Sequence, residues 1–340
     1  MSPLRIVPLT EELLGEAALL AAGRVRAERR HVPHLPARYE NFGELLPLIR
    51  RAYSRAPGVA AIDGDRLVGF MTTNLVHGLR GPFRGAYVGE WGHAVAGDIA
   101  GERRQYIYRR MYELLGEKWV RNGCFAHAVT IFAHDQDAVN AWFWSHFGMA
   151  CVDAVRGVEP IGATVHDDKD FYIRQATLSD LDSVATLKEL HSRYMAESPI
   201  FMPAVDLSGL RERVEKWMSQ ESHFVYLAFR GDKPIAYMQW EPSYKNASFI
   251  ITDPKTASVT GAFTLEEHRG GGVGSALLDE VLRAARARGF ERCSVDFESH
   301  NIYGSRFWLR YFQPICYSVF RQVDERIAWA PHDRRPEHIW

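Results

Sequence analysis

Residues Thr264–Leu278 read TLEEHRGGGVGSALL, and this stretch decides the fold. An apolar run from Ser258 to Leu265 delivers the backbone to Arg269-Gly270-Gly271-Gly272-Val273-Gly274. Beyond Ser275, the residues Leu277, Leu278, Val281 and Leu282 recur at helical spacing. The pattern predicts a strand, a glycine-rich turn and a helix start. Bare amides and the positive end of the helix dipole make such a junction an anion site. Glycines permit the close approach and positive φ that a pyrophosphate cradle needs. A phosphate-bearing cofactor is therefore expected at this turn.

Spacing separates the motifs that share this logic. A Walker loop carries Lys-Ser/Thr after its last glycine, and Ser275-Ala276 stands there instead. A dinucleotide fingerprint wants an acidic residue closing the next strand, which Asp296, 22 residues past Gly274, supplies only loosely. Leu265-Glu266-Glu267-His268 followed by Arg269-x-x-Gly272-x-Gly274 resembles motif A of the GNAT superfamily of N-acetyltransferases, whose turn binds the pyrophosphate of coenzyme A. Downstream, Glu291 to Phe297 alternates as a strand and Asn301 to Trp308 reads as a helix start. This resembles motif B of the same superfamily, with Asn301, the small Gly304 three on, and the aromatic pair Phe307-Trp308. The pair ordinarily ends in Tyr, the acid that protonates the departing thiolate. Trp308 departs from that pattern, because an indole N–H is no practical acid. A thiolate with a pKa of about 8.5 leaves readily, so such help is useful without being obligatory. Tyr303 and Tyr311 flank Trp308 as substitutes, Tyr311 being the candidate acid.

The resemblance implies acetyl-coenzyme A as cosubstrate and direct attack by an amine, with no metal. It also implies a bulged fourth strand that splays from the fifth, its exposed edge at Phe263, Thr264 and Leu265, with Gly261 suited to the bulge. A backbone N–H there, assigned to Leu265, would stabilise the oxyanion. The diphosphate would rest on Arg269, Gly270, Gly271, Gly272, Val273, Gly274 and Ser275, with Asn301 and Arg306 on the motif B helix completing the cofactor site. Glu298, just beyond the fifth strand, is the favoured base or amine anchor. Glu241, Asp296 and Glu266 are the alternatives. Cys293 reads as a buried thiol, and His31-x-x-His34 lacks further ligands for zinc.

At 340 residues the chain holds about two domains of ordinary size. Its 41 basic and 42 acidic residues balance, so no global field points to nucleic acid or a membrane surface. Four scattered cysteines fit a reducing compartment, and neither a signal pattern nor an 18-residue apolar span occurs. A cytoplasmic monomer or homodimer is expected.

The two halves repeat. Thr10 and Thr177, Gly64 and Gly231, and Met71 and Met238 each lie 167 residues apart, and Phe143-Trp144 precedes Phe307-Trp308 by 164. One coincidence is easy; the same register three times indicates duplication. The fold class is therefore α/β, two tandem GNAT-like domains at 1–160 and 161–340, each a mixed, mostly antiparallel sheet flanked by helices. The break is expected near Val158 to Lys169, where His166-Asp167-Asp168-Lys169-Asp170 interrupts the pattern. The arrangement resembles that of the mycothiol synthases, in which two such domains are fused and the second is active. In the first half, Asp98 and Glu102 stand where phosphates should rest, and Asp137 replaces the motif B asparagine, so that half reads as a degenerate copy.

The expected activity is acetyl transfer to the amine of a small molecule or peptide. The segment His191 to Pro203, with Tyr194, Met195, Phe201 and Met202, is apolar enough to line the acceptor pocket. A non-catalytic acyl-coenzyme A sensor is the alternative that Trp308 motivates. A dinucleotide-dependent oxidoreductase is disfavoured, since no substrate domain of that kind is legible.

Overall fold

The computed structural model describes residues 4–327 except 57, 80, 82–83, 163–170, 204 and 244–247. The junction His166 to Asp170 lies outside the described residues. In chain order the elements are β1 (Arg5–Pro8), α1 (Leu14–His31), α2 (Phe42–Tyr53), β2 (Val59–Asp63), β3 (Arg66–Met71), β4 (Asn74–His77), β5 (Arg84–Val88), β6 (His93–Val95), α3 (Gly101–Arg121), β7 (Ala126–Phe132), α4 (Gln136–Phe143) and β8 (Gly148–Gly157). There follow β9 (Tyr172–Gln175), α5 (Leu181–Ala196), α6 (Leu210–Met218), β10 (Phe224–Arg230), β11 (Lys233–Pro242), β12 (Thr256–Thr264), α7 (Val273–Ala287), β13 (Arg292–Glu298), α8 (Ile302–Tyr311) and β14 (Gln313–Gln322).

Two compact units result: Met1–Val152 with Pro314–Trp340, and Asp153–Gln313. This differs from a contiguous division at 160, because the last strand of the chain belongs to the first unit. There β14 pairs antiparallel with β7, from Cys316 opposite Phe132 to Gln322 opposite Ala126. Val319 of β14 joins Val129 and Ile131 of β7 in one buried core with Ile107, Met111, Leu115 and Trp119 of α3. Each such side chain removed from water contributes about 1.5–3 kcal/mol, which binds the late strand firmly to this unit.

Within the first unit, β1, β2, β3 and β6 form one sheet, while β4 and β5 continue beside β7. Here β3 and β6 lie in one sheet while β4 and β5, which follow β3 and precede β6 in the chain, lie in the other.

The second unit keeps those strands whole. Its sheet runs β13-β12-β11-β10-β9, with β8, whose Asp153–Gly157 half belongs to this unit, beside β13. From β12 to β9 neighbouring strands pair antiparallel, whereas β12 pairs with β13 in parallel. Thr177 and Asp180 form a capping box ahead of α5, satisfying amides that a helix start leaves bare. Apolar residues of α5 and α6, among them Leu181, Val184, Leu187 and Val214, share a core with Val225, Leu227 and Tyr237 of the sheet.

No helix of the described residues is long and apolar enough to cross a membrane. Among the described residues no group of three or more His, Cys, Asp or Glu could hold a metal ion. None of the four cysteines is in a disulfide, and burial pushes the Cys293 thiol up to about 12.

Candidate functional site

The second unit contains a cavity of about 530 Å³ that a break in strand pairing creates. β12 and β13 pair in parallel only from Thr256 opposite Arg292 to Val259 opposite Val295. The partner register of β12 on β11 then slips, Gln239 facing Gly261 while Trp240 faces Val259, so Thr260 is an extra residue. A bulge of this kind bends the strand. From Thr260 onward β12 follows β11 alone, and Gly261, Ala262, Phe263 and Thr264 line one wall of the cavity. Val295, Asp296, Phe297 and Glu298 of β13 line another.

The glycine turn closes one end. Gly270 and Gly272 adopt φ of 78° and 83°, in the left-handed region that favours glycine. The amides of Gly270 to Ser275 donate to no backbone carbonyl among the described residues. A Cβ at Gly270 would meet nothing within 4 Å, so the space before these amides is open. Gly274 serves packing instead: a Cβ there would lie 3.3 Å from the Phe307 ring, where α7 and α8 approach closely. Buried Val273, Leu277, Leu278, Val281 and Leu282 anchor α7 and fix the turn at its head.

At the start of α8, Asn301 Oδ1 accepts from the Gly304 amide at 3.0 Å and from the Tyr194 hydroxyl at 2.9 Å. Asn301 is thus a helix cap that also braces α5. Arg269 donates through Nε to the carbonyl of Thr264 at 3.1 Å, and its guanidinium lies 4.6 Å from the ring centre of Tyr194 and 5.7 Å from those of Phe263 and Tyr303.

Of the residues singled out by sequence, Phe263, Thr264, Arg269, Gly270, Gly272, Val273, Gly274, Ser275, Glu298, Asn301, Arg306 and Tyr311 all line this cavity, with Trp308, Tyr303 and Arg310 beside them. Two do not. Gly271 sits in the turn, its nearest neighbour beyond an added Cβ being the His268 carbonyl at 3.8 Å. Leu265 requires a correction as oxyanion donor: its amide donates to the Ile235 carbonyl at 3.0 Å, and its side chain packs against the core under α5 and α6. Strand alternation then leaves the amides of Ala262 and Thr264 on the splayed side.

The carboxylates separate clearly. Asp296 lines the cavity with its surface exposed there, and desolvation by the surrounding protein pushes its carboxyl up to about 6, with the Glu298 charge adding to the rise. Glu241 is buried and paired with His223 at 2.9 Å, away from the cavity. Glu266 is exposed in the loop. From the acceptor segment, His191, Tyr194 and Met195 line the cavity, whereas Phe201 is 70% exposed and Met202 is not part of the wall. Sequence reading missed the partner of His191, the fully buried Tyr237 of β11, whose hydroxyl lies 2.8 Å from His191 Nδ1. His268 also lines the cavity, its Nδ1 buried without a partner among the described residues.

The first unit treats its matching helix start differently. The amide of Gly101, first residue of α3, donates to Asp137 Oδ2 at 2.7 Å, and Gln105 donates to Oδ1 at 3.3 Å. Asp98, expected beside the phosphates, instead receives both guanidinium nitrogens of Arg66 at 2.7 Å. Below them Arg104 donates twice to Asp135, and the buried Arg24 lies 3.5 Å from the same carboxylate.

Residues 184–312 match the acetyltransferase (GNAT) family. No curated protein sequence matches the chain. Among solved structures, a GCN5-related N-acetyltransferase from Sphaerobacter thermophilus is similar at 11% identity, over 99% of this chain and 100% of that one, with a TM-score of 0.55. The glucosamine N-acetyltransferase region of a fungal multi-domain GH3 β-N-acetylglucosaminidase is similar at 14% identity, over 94% of this chain and 38% of that one, with a TM-score of 0.51. A tandem GNAT protein of the clavulanic acid biosynthesis pathway aligns at 13% identity over 97% of this chain and 100% of that one, with a TM-score of 0.44. At these identities the first two speak for the fold alone. The family match thus lies within the second unit, at residues 184–312, and the fold of the whole chain is similar to that of a GCN5-related N-acetyltransferase.

Proposed function

We propose that this protein is an N-acetyltransferase that moves the acetyl group of acetyl-coenzyme A to an amine of a small molecule or peptide, in the cavity of the second unit. The observation that carries this reading is the row of open amides from Gly270 to Ser275 at the end of a splayed strand pair. Those amides and the head of α7 suit a diphosphate, and the free edge of β12 suits an extended pantetheine arm.

In this reading the amine attacks the thioester carbonyl, whose oxygen gains negative charge within reach of the Ala262 or Thr264 amide. Asp296, with a carboxyl near neutrality in affinity, takes the amine proton directly or through water. Glu298, two residues on, holds the cationic form of the amine before attack. The C–N bond forms, the C–S bond breaks, and the thiolate leaves with a proton from Tyr311 or solvent. Trp308, buried at the cavity wall, contributes shape and no proton.

Calorimetric titration with coenzyme A and a thiol-release assay with an amine panel test the proposal. Binding with thiol release supports it. Binding without release from any amine favours a non-catalytic acyl-coenzyme A binder, and no binding refutes both readings.

A further inference from the structure

The Tyr237 hydroxyl is buried, and its one polar neighbour at hydrogen-bond distance among the described residues is His191 Nδ1, at 2.8 Å. A hydroxyl has a hydrogen to place. If Nδ1 carried a proton and donated, the Tyr237 hydrogen would be buried without an acceptor, which carries the full desolvation penalty of the hydroxyl. If Nδ1 is the bare nitrogen, the hydroxyl donates to it and both groups are satisfied. The second arrangement requires the ring proton on Nε2. Burial, and the positive charges of Lys188 and Arg269, push the His191 ring down to about 4, so it stays neutral and keeps one N–H. The ring is fixed in place by stacking on Phe263, with centroids 5.3 Å apart and planes inclined by 19°.

We propose that Tyr237 locks His191 in the Nε2–H form, and that this N–H is a hydrogen-bond donor to an oxygen of the amine acceptor. His191 lines the cavity and Nε2 has no partner among the described residues. Arg269 also lies against the Phe263 ring, its Nε committed to Thr264 and its terminal nitrogens without a partner among the described residues. A cavity lined by His191 and Arg269, both against Phe263 of β12, by the carboxylates Asp296 and Glu298 of β13, and by Arg306 and Arg310 of α8 suits an acceptor that bears an amine and, within the same small skeleton, a carboxylate. This rests on the acetyltransferase reading of the site and narrows its substrate class to amines carrying an anionic oxygen. Tyr237 is a positioning residue here, since it acts only through the imidazole.

The lock is tested by ¹⁵N NMR of histidine-labelled protein without ligand, where the two ring nitrogens report the tautomer whether or not any amine turns over. A protonated Nε2 with a bare Nδ1 is expected, and Tyr237→Phe should abolish the single-tautomer signature while leaving coenzyme A affinity unchanged. A protonated Nδ1 overturns the proposal. The donor role is tested with amino acids and their decarboxylated amines, added to protein saturated with coenzyme A. Carboxylate-bearing members should shift the Nε2–H resonance, and His191→Phe, which keeps the stack on Phe263, should raise their KM at least tenfold with little change for the decarboxylated partners. An equal rise for both sets, or no shifted resonance with any member, overturns the donor role. A loss of coenzyme A affinity in His191→Phe assigns the oxygen to the cosubstrate and overturns it as well. Failure of every amine to release thiol refutes the acetyltransferase reading, while the NMR result still decides the lock.

Discussion

The amide of Gly101 donates to the carboxylate of Asp137 at 2.7 Å, so the first unit covers its own helix start with a negative charge. In the second unit the matching residue is Asn301, which turns its oxygen to Gly304 and Tyr194 and leaves the turn before α7 open. A carboxylate already seated on the helix amide satisfies it and repels a phosphate approaching the same place.

One coenzyme A per chain is therefore expected by calorimetry. Gly271→Glu is the informative variant, because Gly271 is outside the left-handed φ region that Gly270 and Gly272 occupy and that would strain any other residue. It adds a carboxylate beside the open amides, and binding should fall at least about 10²-fold with an unchanged melting temperature. Two equivalent sites per chain would contradict the covering role of Asp137.

Gly304 and Asn301 yield a stability prediction. A Cβ at Gly304 would lie 2.7 Å from Asn301 Nδ2, so Gly304→Ala must displace the cap. Loss of the cap should cost about 1–2 kcal/mol, read as a lowered denaturant midpoint. Asn301→Asp keeps an acceptor for the Gly304 amide and the Tyr194 hydroxyl, and should retain most of the stability. Equal losses in both variants would show that the cap is not what Gly304 protects.

What the sequence made legible is what local chemistry dictates. The glycines of the turn, the leucine stripe of α7 and the helix start at Asn301 each depend on residues a few positions apart. The Leu265 assignment failed because side-chain and amide directions alternate with period 2, and a single bulge residue, Thr260, resets that parity. Nothing in the residues around Thr260 fixes where the extra residue falls. The membership of β14 in the first unit was equally hidden, since its apolar residues fit any sheet edge and only the tertiary core at Val319 selects one. Asp98 was read as a charge beside the phosphate site because its partner, Arg66, lies on a strand 32 residues earlier.

Asp180 sets an acid limit on the stability of the second unit. Its carboxylate accepts from both terminal nitrogens of Arg174, at 2.7 and 2.8 Å, and from the Thr177 amide at 2.8 Å. The Arg174 hydrogen bonds foremost hold its carboxyl down at about 2. A depressed folded value stabilises the protein above the unfolded value near 4, and that contribution disappears as pH falls from about 4 to 2. Asp180→Asn should lower the melting temperature at pH 7 and have less effect at pH 2.5. A variant as stable as the parent at pH 7 would show that the ion pair contributes nothing there.

The pH dependence of turnover discriminates between the two carboxylates of the cavity. Burial raises Asp296 to about 6, with Glu298 adding to the rise, so Asp296 is protonated and unable to accept a proton below that pH. As the base, it should give kcat/KM an acidic limb near pH 6 that falls about tenfold per unit below it. Asp296→Asn should remove the limb and lower kcat by about 10²-fold. Glu298→Gln removes the neighbouring like charge, so the Asp296 value drops and the limb should move to lower pH. Its main kinetic effect should be a raised acceptor KM, as befits an anchor for a cationic amine. The opposite result, a limb that survives Asp296→Asn and vanishes in Glu298→Gln, would exchange the two roles. Such an exchange would make Glu298 the base and leave Asp296 to hold the amine.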